Sequence, residues 1–306
     1  MHGPAMGGGR ASVSQQRGEA VERTRALNRH RTTVDGAAPG VPTLGIHLFG
    51  RVELRVGDRD VRLRSRAAQA LIALLVLTPR IRTREAVAAE LWPDSEGGGV
   101  AASMRQALWH LRSDFLSANL ALDSYLHIEP DAIGLRPDAP VSLDVDRFEA
   151  CLRGHPPRLE EALLLYRGDL AEWLGLECFA SDRERLSDAY EDALALVAQE
   201  RFEAGSAEGA RETALALLAR DPLREEGHAT LLRVFGRAGS RTHVVRQYRR
   251  LAELLDRELG VEPLPETAAA YRAALADTFE QSRRRTMGAA LAAVGGRNGI
   301  GVIARS

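Results

Sequence analysis

The chain has 306 residues, 45% apolar and 27% charged, with 41 basic against 42 acidic side chains, and at about 100–200 residues per domain this predicts two compact domains or one plus tails. Its longest apolar stretch, Ala67 to Leu77, is broken by Gln69 and falls well short of the ~20 residues of a membrane span; with no apolar signal-peptide core at the amino terminus, a cytoplasmic location without a membrane partner is expected. Every basic residue other than histidine is arginine, which excludes a lysine-bearing phosphate loop and a Schiff-base lysine.

Residues 1–42 carry six arginines against three acids and mix glycine, serine, glutamine and proline without periodicity. They read as a disordered leader, with a short basic helix conceivable over Val21 to His30. Structure is expected from Thr43. Val52, Leu54 and Val56 alternate with Glu53 and Arg55, Gly57-Asp58 gives a turn, and Val61 and Leu63 continue the pattern, which predicts a small antiparallel sheet. A helix follows from Ser65 to Leu77, ended by Thr78-Pro79, and Thr83 is placed to cap a second helix through Leu91.

The third helix carries the most information. Asp94 or Ser95 can cap it, although the glycines at 97–99 cost roughly 1 kcal/mol each within a helix. Met104, Leu108, Leu111 and Phe115 recur at helical spacing as a buried stripe. At about 100° per residue, Gln106, Trp109, His110 and Ser113 fall opposite it, with Arg105 and Arg112 on one shoulder. Tyr125–Ile128 and Ile133–Leu135, joined by a turn at Glu129–Asp131, read as a β-hairpin.

From Val141 onward only helices are expected, at Leu159–Tyr166, Ser181–Phe202, Ala207–Ala219, Arg224–Phe235 and Thr242–Leu259. Ala204-Gly205 recurs as Ala238-Gly239, Val197 as Leu231 and Leu217 as Leu251, an offset of 34 residues that is the period of tetratricopeptide (TPR) helix pairs. Residues 141–275 hold 18 arginines against 25 acids, so this half is expected to repel DNA and to contact protein. Tyr166, Trp173, Phe179 and Tyr190 are expected in its core, and residues from 281 onward, including Arg283–Arg285, as a flexible tail. The histidines are scattered without HExxH or zinc spacing, and Cys151 and Cys178 lack CxxC spacing and read as buried thiols. No catalysis, metal or cofactor is expected.

Sheet, three helices and hairpin is the order of a winged helix with an N-terminal sheet. Leu44 to Leu152 resembles the DNA-binding domain of phosphorelay response-regulator effectors, and residues 43–275 resemble the AfsR/DnrI/RedD regulators, the Streptomyces antibiotic regulatory protein (SARP) type. The resemblance rests on LFGRVELRVGDRDVRL, RAAQALIALLVLTP, TREAVAAELWPD, SMRQALWHLRSDF and LDVDRFEACL, then LYRGDLAEW and QYRRLAELLDRELGVEPLPET. It implies an α+β winged helix over residues 43–140, followed by an all-α, TPR-like bacterial transcriptional activator domain over 141–280, between a leader at 1–42 and a tail at 281–306.

The resemblance further implies a DNA-binding transcription regulator, an activator, whose third helix enters the major groove of double-stranded promoter DNA. RNA polymerase or its sigma subunit and a second copy of the chain are its implied partners. Arg105, Arg112, Gln106, Ser103, Ser113, His110 and Trp109 are the implied contacts on that helix, with Arg82 and Arg84 at the start of the second helix and Arg136 of the hairpin beside them. For Trp109 a contact with the second domain is the competing reading. The wing tip carries Glu129 and Asp131, which repel phosphate. The alternative is a helical-repeat adaptor, or a fragment of a larger ATPase-type regulator, whose winged helix does not bind DNA.

Overall fold

The computed structural model describes residues 40–94 and 98–295. The leader helix considered at Val21–His30, Ser95 as a cap, Gly97 and residues 296–306 lie outside the described residues. The chain divides into two compact units, residues 1–150 with 165–185, and residues 151–164 with 186–306.

The first unit opens on the expected sheet. Strands β1 (Leu44–His47), β2 (Glu53–Val56) and β3 (Arg59–Val61) pair antiparallel, and alternate residues of β2 are buried. A fourth strand, numbered β7 (Val141–Leu143), joins β1 in parallel to give the order β3-β2-β1-β7. The sequence reading, helical from Val141 onward, is corrected here. Three residues are too few to display a period of two, and their pairing partner is distant in sequence.

Helix α1 (Arg66–Leu77) begins at Ser65, whose Oγ accepts from the Ala68 N–H, and every residue from Ala70 to Leu77 is buried. Helix α2 (Arg84–Leu91) begins at Thr83, whose Oγ1 accepts from the Ala86 N–H as expected. Helix α3 (Gly98–Ser117) includes two of the three glycines. Strands β5 (Leu126–Ile128) and β6 (Ala132–Leu135) form the predicted hairpin, and β4 (Arg82–Thr83), a two-residue strand absent from the sequence reading, pairs with the outer side of β6. A Cβ on Gly134 in β6 would lie 2.7 Å from the Arg80 carbonyl oxygen and 2.8 Å from the Ile81 Cα. Only glycine permits this approach of β6 to the chain entering β4.

The greater part of helix α4 (Asp144–Arg153) and residues 165–185 complete this unit. Asp144 is 3% exposed, and its carboxylate accepts from the N–H groups of Leu48, Phe49 and Val145. Phe49, Phe148 and Tyr166 form an aromatic cluster with centroids 4.6 to 5.9 Å apart. The N–H of Gly50 donates to the Asp169 carbonyl, and that of Ala171 to the Leu48 carbonyl. Arg66 donates to the Leu174 carbonyl, and the Trp173 indole N–H donates to Gln69 at 3.0 Å. Tyr166 and Phe179 are therefore buried in the first unit, not in the core of the helical repeat, and Trp173 is 46% exposed. Their place in sequence concealed their place in packing.

Burial pushes the Asp144 pKa up, against the pull of its backbone donors and His47, and burial pushes the His47 pKa down. Both shifts favour neutral groups, so their 3.9 Å approach is a weak polar contact, beyond hydrogen-bond length. Because the native state holds the Asp144 proton more tightly than the unfolded chain, stability falls as pH rises from about 4 through the raised native pKa. Asp144→Asn should lack this fall. It should also cost about 1–3 kcal/mol, because its NH2 faces backbone donors and leaves one unpaired; urea unfolding of both proteins at several pH values measures both effects.

The second unit is helical. It contains most of α5 (Leu159–Leu165) and the greater part of α6 (Ala180–Glu203), then α7 (Ala207–Arg220), α8 (Glu225–Arg237), α9 (Arg241–Leu259) and α10 (Pro265–Gly295). The 34-residue offset corresponds to structure. Gly205 and Gly239 follow α6 and α8 with φ of +84° and +70°, a left-handed conformation natural to glycine at a helix end. Val197 and Leu231, then Leu217 and Leu251, are buried at matching positions.

Packing passes from pair to pair. Ala193 and Val197 meet Leu159, Ala198 and Ala214 meet Leu231, and Leu232 meets Val244 and Ala274, the nearest-neighbour stacking of a repeat fold. One expectation is corrected. Helix α10 runs through 281–295, expected as flexible tail, because its residues include many good helix formers without a marked apolar stripe. Glu160 pairs with Arg201 at 2.7 Å and Glu225 accepts the Leu264 N–H at 2.9 Å.

Candidate nucleic-acid interface

Helix α3 is held by its apolar side. Met104, Ala107, Leu108, Leu111 and Phe115 are each no more than 3% exposed, in accord with the predicted stripe. One polar group joins them. Asp114 is buried on the same helix, and its carboxylate accepts the Arg64 N–H at 3.0 Å, with the Arg64 Nε at 3.7 Å. This fixes the rotation of α3 against the chain leading into α1.

That rotation leaves Ala101, Arg105, Trp109, Arg112 and Leu116 exposed along one line, with Gln106 beside them. Trp109 is 64% exposed and Leu116 76%. The indole has the His110 ring edge-on at 4.9 Å. Ser103, His110 and Ser113 are half-buried at the margins. Arg105 and Arg112 have no ion-pair partner among the described residues. Sequence reasoning did not select Leu116, although its spacing from Arg105, Trp109 and Arg112 places it on their line. A 20-residue helix with bare guanidinium, amide and indole groups on one side can offer donors to guanine, adenine and phosphate, and apolar surface to a thymine methyl.

The other expected contacts divide. Arg82 lies in β4, before the start of α2, and its side chain is only 14% exposed in a 2.5 Å pair with Glu90. Arg84 does open α2. Its backbone N–H donates to the Asp131 carbonyl at 2.9 Å, and its Nε is buried without a hydrogen-bond partner. Arg136 is half-buried beside Asp138 at 3.2 Å. At the wing tip Glu129 and Asp131 are exposed, with His127 Nε2 3.3 Å from Glu129. The favourable electrostatics are thus concentrated on α3, while the wing presents acid.

The thiols are placed differently from each other. Cys151 is buried and Cys178 half-buried. Burial, with Glu90 nearby, pushes the Cys178 pKa up to about 11, so it carries almost no nucleophilic thiolate near neutral pH. Among the described residues no group of three or more histidines, cysteines or acids is placed to hold a metal ion, and no helix is long and apolar enough to cross a membrane.

Comparison with known proteins bears on the helical half and on the fold. Residues 144–275 match the model of the bacterial transcriptional activator domain. A solved structure of Mycobacterium tuberculosis EmbR in complex with a low affinity phosphopeptide is similar over 83% of this chain and 71% of that one, with 22% identity and a TM-score of 0.62. No curated protein sequence matches the chain. Residues 144–275 thus resemble a bacterial transcriptional activator domain, in a chain that shares the fold of EmbR.

Proposed function

We propose that the chain is a cytoplasmic, sequence-specific DNA-binding transcription regulator, an activator, that acts by binding and not by catalysis. Residues 43–140 supply the DNA-reading surface and residues 141–280 the activating one, which engages RNA polymerase or its sigma subunit and a second copy of the chain. The observation that carries this reading is the exposed line of α3, where Arg105, Trp109 and Arg112 stand beside Gln106. Arg105 and Gln106 address base edges, Arg112 a base or phosphate, and Ser103, His110 and Ser113 the backbone. Arg84 joins at the start of α2. Arg82 and Arg136, each tied to an acid, contribute less.

The acidic wing favours weak minor-groove engagement, with affinity raised by binding two half-sites. The same wing is what favours the adaptor alternative. Arg105→Ala separates the two. In a regulator it should weaken binding to the chain's own upstream DNA by about 1–3 kcal/mol and relax the preference at one base position. An adaptor would bind no duplex selectively, before or after the substitution.

A further inference from the structure

The net acidity of the helical half conceals a segregation along it. Helices α6 and α7 together hold nine acids against five arginines, whereas residues 241–252 of α9 hold four arginines and no acid. Several arginines elsewhere in this unit are paired, Arg201 with Glu160 at 2.7 Å, Arg211 with Glu208 at 2.6 Å and Arg224 with Asp192 at 2.7 Å. Arg246, Arg249 and Arg250 are exposed and have no ion-pair partner among the described residues. The opposite side of α9 is anchored by buried Val244, Leu251 and Leu255.

Like charges three and four residues apart on a helix repel each other; the nearest acid in compensating position, Glu253, is exposed and forms no ion pair with Arg249 or Arg250 among the described residues. The arrangement costs helix stability and supplies a ready counter-charge for a polyanion. A rise of 1.5 Å per residue sets the three guanidinium groups along about 6 Å of helix. That is nearly two phosphate-to-phosphate steps of one DNA strand, at about 3.4 Å each along the duplex axis, so the three guanidinium groups match three successive phosphates.

We infer that this face of α9 is a second, sequence-independent DNA contact, binding the phosphodiester backbone outside the bases read by α3. It rests on the reading of the chain as a DNA-binding regulator, but it uses none of the residues of α3. The averaged charge of the helical half is acidic, while residues 241–252 of α9 are not. Arginine suits this role, since its planar fork bonds phosphate through two N–H groups and keeps its charge at every physiological pH.

The test uses the full-length chain and a duplex that it selects from random sequence, in a long form with flanking base pairs and in a form trimmed to the selected core. Binding is followed by fluorescence anisotropy across a salt series, for wild type, for the triple variant Arg246→Ala, Arg249→Ala, Arg250→Ala, and for the triple Arg-to-Lys variant. The Ala variant should bind the long duplex with a log K against log salt slope shallower by about 2.7, at about 0.9 for each of three phosphates, while keeping the same base preference and a thermal midpoint no lower than that of wild type. Trimming should weaken wild type and the Lys variant severalfold and leave the Ala variant unchanged. Identical slopes for wild type and the Ala variant on the long duplex overturn the inference, including when the Ala variant loses transcription activation, which would assign the face to an acidic protein. If instead wild type prefers no duplex, yet the salt slope still falls in the Ala variant, the α3 reading fails and the α9 contact stands.

Discussion

A fragment ending at Pro140 is expected to be largely unfolded at 25 °C, and extension through Arg185 is expected to restore cooperative unfolding. The reason lies in what the later residues contribute to the first unit. Residues 141–143 supply the strand beside β1, and Asp144 supplies the acceptor for the Leu48 and Phe49 N–H groups. Phe148, Leu170, Leu174 and Phe179 are each at most 1% exposed. Burying one such side chain stabilises by about 1.5–3 kcal/mol, so these four alone rival the about 5–15 kcal/mol of a whole domain. Loss of residues 141–185 also uncovers Phe49 and leaves the Leu48 and Phe49 N–H groups without the Asp144 carboxylate that accepts them, at about 1–3 kcal/mol for each unsatisfied group. Urea unfolding followed by circular dichroism decides the matter. A cooperative transition of undiminished midpoint in the shorter fragment would show that residues 141–185 are dispensable to the unit.

Raising monovalent salt from about 50 to 200 mM is expected to weaken binding of the full chain to its selected duplex by about 10³-fold or more, the loss associated with six or more phosphate contacts. To phosphate one copy offers Arg112 on α3 and Arg84 at the start of α2, while the wing offers Glu129 and Asp131. Six contacts therefore require two copies on two half-sites with the α9 face engaged. The measured slope distinguishes this from a single copy. A value near −2 would fit a single copy bound through α2 and α3 alone, at about 0.9 per phosphate, and a salt-independent affinity would remove phosphate contact from the account.

Much of this architecture was legible because the responsible forces are local. The stripe from Met104 to Phe115, the Thr83 cap and the Gly205 and Gly239 ends all follow from helix period and capping, and each stands where the sequence placed it. What escaped depends on partners distant in sequence. Strands β4 and β7 are too short to show alternation and exist only through pairing with β6 and β1. Tyr166 and Phe179 were misassigned because proximity in the chain was taken for proximity in packing.

The candidate site was legible in part. Arg105, Gln106, Trp109 and Arg112 are exposed as the periodicity required, but no local pattern announces that Glu90 occupies Arg82 or that Asp114 turns inward to the Arg64 N–H. Charge was misleading when averaged. The sum over residues 141–275 masks the arginines of α9, which a window one helix wide reveals.

The most direct measurement of the central claim is methylation interference on the selected duplex, with wild type beside Arg105→Ala. Guanine N7 lies in the major groove, where arginine bonds it. The account predicts at least one guanine whose N7 methylation blocks wild-type binding and has no further effect on the variant. Interference patterns that are identical for the two proteins, or that fall only on minor-groove positions, would contradict the placement of α3 in the major groove.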